Sequence, residues 1–157
     1  IDYDGENRFI SGDLLTGTAV DSNMGYTNFY NNLLSIIPEG NNYRMFGWLP
    51  FRGNKIPSAS RLSFSSFFKK HNINTNLNGE ERALVVTGEM EKVFPMDIFP
   101  MQLLKACLEE NIEKMENLGI YEIIPEDFGI IDFVSTSKIE AQQIIKKGIQ
   151  LMVKEVG

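Results

Sequence analysis

One cysteine, Cys107, and one histidine, His71, are the residues of this 157-residue chain best suited to nucleophilic or metal chemistry. A lone thiol forms no internal disulfide, no Cys-only zinc site and no iron–sulfur cluster, each of which needs several sulfurs. A lone imidazole excludes a multi-histidine metal centre. Cys107 falls on the apolar side of a helical pattern with no neighbouring base to lower its pKa, so it reads as a small core hydrophobe. His71 follows Lys69 and Lys70 in a polar stretch and reads as solvated surface. Glu109, Glu110 and Glu113 have the type and spacing of a cation site. Hard cations usually also recruit loop carbonyls and a sharp Gly turn, so a solvated helix face accounts for these carboxylates better. Ser11-Gly12-Asp13-Leu14-Leu15-Thr16-Gly17 lacks the Lys-Ser/Thr ending of a phosphate loop and the G-x-G-x-x-G spacing of a dinucleotide site, and reads as a turn. Tyr43, Phe46, Trp48 and Phe51 either line a pocket for an apolar ring or form the core of a small sheet. No residue is therefore assigned a catalytic or metal-binding role, and no cofactor-binding residue is identified.

The elements that would carry these residues follow two grammars. Hydrophobic residues make up 43% and charged residues 23% of the chain, enough apolar material for a folded core. A net charge of -6 argues against nucleic-acid binding, which needs clustered Lys and Arg. Residues 7–90 are rich in Gly, Asn, Ser and aromatics, with short apolar runs. Arg8-Phe9-Ile10-Ser11, Leu33-Leu34-Ser35-Ile36-Ile37, Tyr43 to Leu49 and Arg82-Ala83-Leu84-Val85-Val86 read as strands, and Leu14-Leu15-Thr16-Gly17 as a short apolar piece between them. The stretch from Ser58 to Phe68 is ambiguous between helix and strand. After Pro95 the pattern becomes helical. Pro100 opens a first helix with Leu103, Leu104, Cys107, Leu108, Ile112, Met115 and Leu118 on one face, stopped at Gly119. Pro125-Glu126-Asp127 opens a second, with carboxylates at its positive end. Ser137-Lys138-Ile139-Glu140 has capping-box spacing and launches a third, with Ala141, Ile144, Ile145, Gly148, Ile149, Met152 and Val156 apolar. The expected fold class is α+β, a small sheet followed by a compact helical bundle. The start at Ile1, with neither an initiator Met nor a leader-like pattern, reads as a fragment of a longer or processed protein. The most apolar stretch, from Val93 to Leu108, is interrupted by Pro95, Asp97, Pro100, Gln102 and Lys105, so direct membrane insertion is not expected.

Several motifs, taken in order, resemble a known family. Arg8-Phe9-Ile10-Ser11-Gly12, Leu14-Leu15-Thr16-Gly17, Ser35-Ile36-Ile37-Pro38-Glu39-Gly40 and Phe46-Gly47-Trp48-Leu49 are similar to the middle-to-C-terminal part of the A subunit of the Na+-translocating NADH:quinone oxidoreductases. The stretches Gly79 to Val85 and Gly88 to Ile98 match that family's run GERAMVPIGxYExVMPLDI. Leu118-Gly119, Glu126-Asp127, Phe133-Val134 and Lys154-Glu155-Val156-Gly157 continue the same order. Val85-Val86-Thr87 departs from the family's Val-Pro-Ile, and Met101 stands in place of its Thr.

The resemblance implies an SLBB-like β-grasp module at residues 1–57, a connecting segment with a short strand at 58–95, and at 96–157 a helical bundle related to helical ferredoxin-like domains. Cluster-binding relatives carry a Val-Cys-Pro-x-Lys segment where this chain has Phe133-Val134-Ser135-Thr136-Ser137-Lys138, so Ser135 and Thr136 replace the Cys-Pro pair and no iron–sulfur cluster is implied. It further implies a peripheral subunit on the cytoplasmic face of the bacterial inner membrane. Its partners would be the other subunits of the complex, the membrane subunits above all, and it would contribute to assembly and to quinone interaction. No cofactor is expected on this fragment; NAD, flavin and quinone would be used by the parent complex. The alternative reading is a free-standing β-grasp module that binds a small molecule.

Overall fold

The computed structural model describes residues 5–21, 25–40, 73–79 and 81–157. The chain divides into two compact units, Ile1–Glu80 and Glu81–Gly157. The architecture is α+β, with the sheet in the first unit and the helices in the second. The strand read at Tyr43 to Leu49, the ambiguous stretch from Ser58 to Phe68, the aromatic group around Trp48 and His71 all lie outside the described residues.

In the first unit, β1 (Asn7–Ser11) is the centre of a three-stranded antiparallel sheet, between β2 (Thr18–Val20) and β3 (Leu34–Pro38). Phe9 stands opposite Val20 on one side and Ile36 on the other. The Leu14–Gly17 stretch is a turn, with Leu14 and Leu15 exposed. Asp13 accepts hydrogen bonds from the amides of Leu15 and Thr16 and from the Thr16 hydroxyl, which holds the chain in a tight reversal. Those bonds also keep the Asp13 carboxyl below its ordinary range, the Thr16 hydroxyl contributing most. Buried Ser11 anchors the following loop: its hydroxyl oxygen accepts from the Asn28 amide at 2.9 Å and from the Asn31 side chain at 3.3 Å. At the far end of β3, Glu39 accepts from the Thr75 hydroxyl at 2.8 Å and pairs with Arg8, tying residues 73–79 to the sheet.

The second unit is built from α1 (Pro100–Leu108), α2 (Ile112–Asn117), α3 (Gly129–Val134) and α4 (Ala141–Glu155). Two 3₁₀ turns, Ile120–Glu122 and Pro125–Phe128, link α2 to α3. Leu103, Leu104, Met115, Phe128, Ile131, Ala141 and Ile145 form its fully buried centre, and the Phe94 and Phe128 rings meet at 4.8 Å. Pro100 does occupy the first turn of a helix, as its missing N–H favours.

Three expectations are corrected. The continuous helix from Pro100 to Gly119 is broken at Glu109–Asn111, where Glu110 takes a φ of 54°. Asn111 then caps α2 by accepting from the Lys114 amide at 3.0 Å. The break turns Leu108 to solvent instead of into the core. The strand read at Arg82–Val86 does not form, because its backbone binds a loop of its own unit. The Arg82 amide donates to the Ser137 carbonyl at 2.9 Å, and the Ser137 hydroxyl donates to the Ala83 carbonyl at 3.1 Å. The same bond removes Ser137 from the expected capping box. The N-terminus of α4 is capped from outside, by Asp132 of α3, which accepts from the Ala141 amide and from the Gln142 side chain.

Burial raises the Asp132 carboxyl above its ordinary value, outweighing the Gln142 and Ala141 hydrogen bonds that lower it. Desolvation thus offsets much of what the carboxylate's charge would contribute at the cap. Asp132→Ala should cost about 1 kcal/mol in urea unfolding, the usual value of a lost cap, whereas Asp132→Asn should cost much less. Because the folded carboxyl holds its proton more tightly than the unfolded one, wild type should gain stability relative to Asp132→Asn as the pH falls through the carboxylate range. An Asn variant as unstable as the Ala variant would show that the cap requires charge.

Helices α1 and α4 meet with almost no space between them. A Cβ added to Gly148 would stand 2.6 Å from Cys107 Sγ and 3.3 Å from its Cβ. Gly→Ala within an exposed helix gains about 1 kcal/mol, but here overpacking, at about 1–3 kcal/mol, opposes it. Gly148→Ala should therefore destabilise the protein in a thermal or urea melt, and Cys107→Ala in the same chain should relieve most of that loss. A stabilised single variant would show that the seam has room.

Candidate functional site

Among the described residues, none of the sequence-selected groups converges with another. Cys107 is buried against Gly148, and desolvation pushes its thiol up to about 11, far from a reactive thiolate. Glu109, Glu110 and Glu113 are exposed, and Glu109 binds Lys114 at 2.9 Å, so they form a solvated surface with an ion pair in it. Among the described residues, no three His, Cys, Asp or Glu side chains are grouped to hold a metal, and no helix is long and apolar enough to cross a membrane.

Ser135 is buried at the end of α3, while Thr136 beside it is exposed. Among the described residues the Ser135 hydroxyl oxygen has no hydrogen-bond partner. An unpartnered buried hydroxyl carries a desolvation cost of roughly 1–3 kcal/mol. Ser135→Ala should accordingly raise the unfolding free energy by about 1 kcal/mol. A loss of stability would mean that the hydroxyl is satisfied in solution.

The feature that sequence reasoning missed is an apolar groove of about 360 Å³ in the second unit. Its floor is buried Ile120, Ile123 and Met152 with half-buried Ile149, and Tyr121, Val153 and Val156 stand exposed along its rim. Gly119, at a φ of 88°, makes the reversal that delivers Ile120 and Tyr121 against α4; this is left-handed backbone that favours glycine. The apolar stripe of α4 predicts Val156 on the buried face. The stripe continues through the last turn of α4, but Val153 and Val156 are 66% and 53% exposed.

The segment that leads into and through this groove is acidic in sequence, although no carboxylate is among the lining residues. Residues 109–127 hold seven carboxylates against the single Lys114, a net of -6, equal to the net charge of the whole chain. Glu116 touches the rim, accepting from the Tyr121 hydroxyl at 2.8 Å, and this bond raises the Tyr121 pKa. On α4, Lys147 and Lys154 lie on the opposite side of the helix from Ile149 and Val156, whereas exposed Lys146 stands on the side of Ile149 and Val153, at about 100° per residue; Lys154 pairs with Glu155 at 3.4 Å. The signal available in the sequence is the coincidence of an acidic run with Ile120, Tyr121, Ile123 and Ile124. It has neither helical nor strand period and so escapes pattern analysis.

No family model matches the chain. It is 36% identical over 152 residues to the A subunit of the Na(+)-translocating NADH-quinone reductase of Haemophilus influenzae (strain PittEE), covering 96% of this chain and 34% of the relative. The corresponding subunits of Neisseria meningitidis serogroup B and Yersinia pseudotuberculosis are 33% and 34% identical, over 97% and 91% of this chain and 34% and 32% of their own lengths. The chain thus spans about a third of the length of the curated relatives it matches. Over the stretch it covers, the chain belongs to the A-subunit family of the Na(+)-translocating NADH-quinone reductases.

Proposed function

We propose that this chain acts as a segment of the A subunit of a Na+-translocating NADH:quinone reductase, contributing to assembly of the complex and to its interaction with quinone, with no chemistry of its own. The observation that carries the reading is the match of nearly the whole chain to relatives of that name. The groove supports it physically. Exposed Tyr121, Ile124, Val153 and Val156 give the second unit an apolar surface of the kind that marks an interaction site. The buried Cys107 thiol, which desolvation keeps protonated with a pKa of about 11, supports a non-catalytic role, since nucleophilic or ligating sulfur must be a thiolate. In this reading NAD and flavin are handled by other subunits, quinone is met at the assembled complex, and the segment sits on the cytoplasmic face of the bacterial inner membrane. Its partners are the other subunits, the membrane subunits above all.

Affinity purification tests the assembly claim. The tagged chain, within its native full-length subunit, is recovered from detergent-solubilised membranes, and Na+-dependent NADH:quinone reductase activity is measured in the eluate. Co-elution of that activity is expected. Recovery of the tagged protein without it, from membranes that contain it, would contradict the reading.

A further inference from the structure

We infer that the segment from Leu84 to Thr87 is a docking edge for an extended β-strand of another protein, a surface separate from the groove and independent of the assembly reading above. Leu84-Val85-Val86-Thr87 has strand composition, with no Pro, Gly or charge to blunt an edge. The chain runs through these residues without helix, turn or bend. Yet among the described residues no backbone amide or carbonyl from Leu84 to Thr87 makes a hydrogen bond. Val85 and Val86 are 59% and 57% exposed, whereas Leu84 is half-buried against the core. Both ends are fixed. Upstream, Arg82 and Ala83 are bonded to Ser137; downstream, Gly88, at a φ of 70°, redirects the chain and Met90 is buried in the core. The segment is thus a strand in composition and course, held at each end, that lacks a neighbour. Such preorganisation lowers the ordering cost of binding. The unpaired groups choose the occupant. A second extended backbone matches a row of amides and carbonyls group for group. A helix has already bonded its own backbone groups internally, and a lipid surface offers no such row. Successive side chains of an extended chain point to opposite faces, so the incoming strand covers Val85 on one face and Val86 on the other with apolar side chains of its own. A second copy of this chain carries the same net charge of -6 and is disfavoured by repulsion. Val86 also stands where the resembling family's motif has Pro, so this chain keeps an amide donor that the motif lacks.

The test uses the full chain, isotope-labelled for NMR, and a soluble peptide of alternating Thr and Val with Lys at each end. At about millimolar peptide, shift changes should centre on the amides from Leu84 to Thr87. Exchange of those amides with solvent should slow about tenfold or more, as amides do on entering a ladder. The fully N-methylated peptide, with the same side chains and charge but no backbone donors, should leave both readouts unchanged. Val85→Pro and Val86→Pro each delete one amide, on opposite edges of the segment, and one of the two should weaken binding about tenfold or more. Far-UV circular dichroism confirms that each variant is folded, and the comparison of the two peptides needs no variant at all. No response at these amides, an equal response to the N-methylated peptide, or indifference to both proline substitutions would each overturn the inference. So would sedimentation showing a dimer that the proline substitutions abolish, since a second copy would then be the occupant.

Discussion

The contact between Cys107 and the bare backbone of Gly148 is the constraint on which the helical unit depends. It lets α1 and α4 approach within the thickness of one sulfur atom. Ile145 and Met152, about one turn to either side of Gly148, are thereby drawn into the core with Leu103 and Leu104. Ile120 packs on the same spot, its Cδ1 3.4 Å from where a Gly148 Cβ would be. The turn at Gly119 therefore ends against α4, and the groove opens immediately beyond it. Sulfur serves here as volume, and burial keeps it protonated.

This arrangement explains what was legible before the structure. Cys107, Leu103, Leu104, Met115, Ala141, Ile145 and Met152 lie in the core because a 3.6-residue period reports the buried face directly. The strands at Asn7–Ser11 and Leu34–Pro38 are visible as β-branched or aromatic runs closed by turn residues. What escapes is set by partners distant in sequence. Asp132 caps α4 from nine residues upstream, Ser137 is claimed by Ala83 instead of by its own helix, and Asn111 stops one helix to begin another. Each is a short polar side chain whose partner only the tertiary structure chooses. The groove is illegible for a related reason. Its lining comes from a 3₁₀ turn and the last two turns of α4, and no period joins them.

The apolar floor of the groove, Ile120, Ile123 and Met152, acts only in contact, and Val153 and Val156 extend it to the surface. Similarity of nearly the whole chain to A subunits of the Na(+)-translocating NADH-quinone reductases gives such a surface a physical setting, since exposed apolar area of this kind marks interaction sites.

Site-specific photocrosslinking from position 153 in the assembled complex tests the central claim most directly. With a photoreactive amino acid in place of Val153 in the full-length subunit, irradiation and mass spectrometry of the crosslinked peptides should identify a segment of another subunit of the complex. Crosslinks confined to lipid, or to residues of the same chain, would contradict the account.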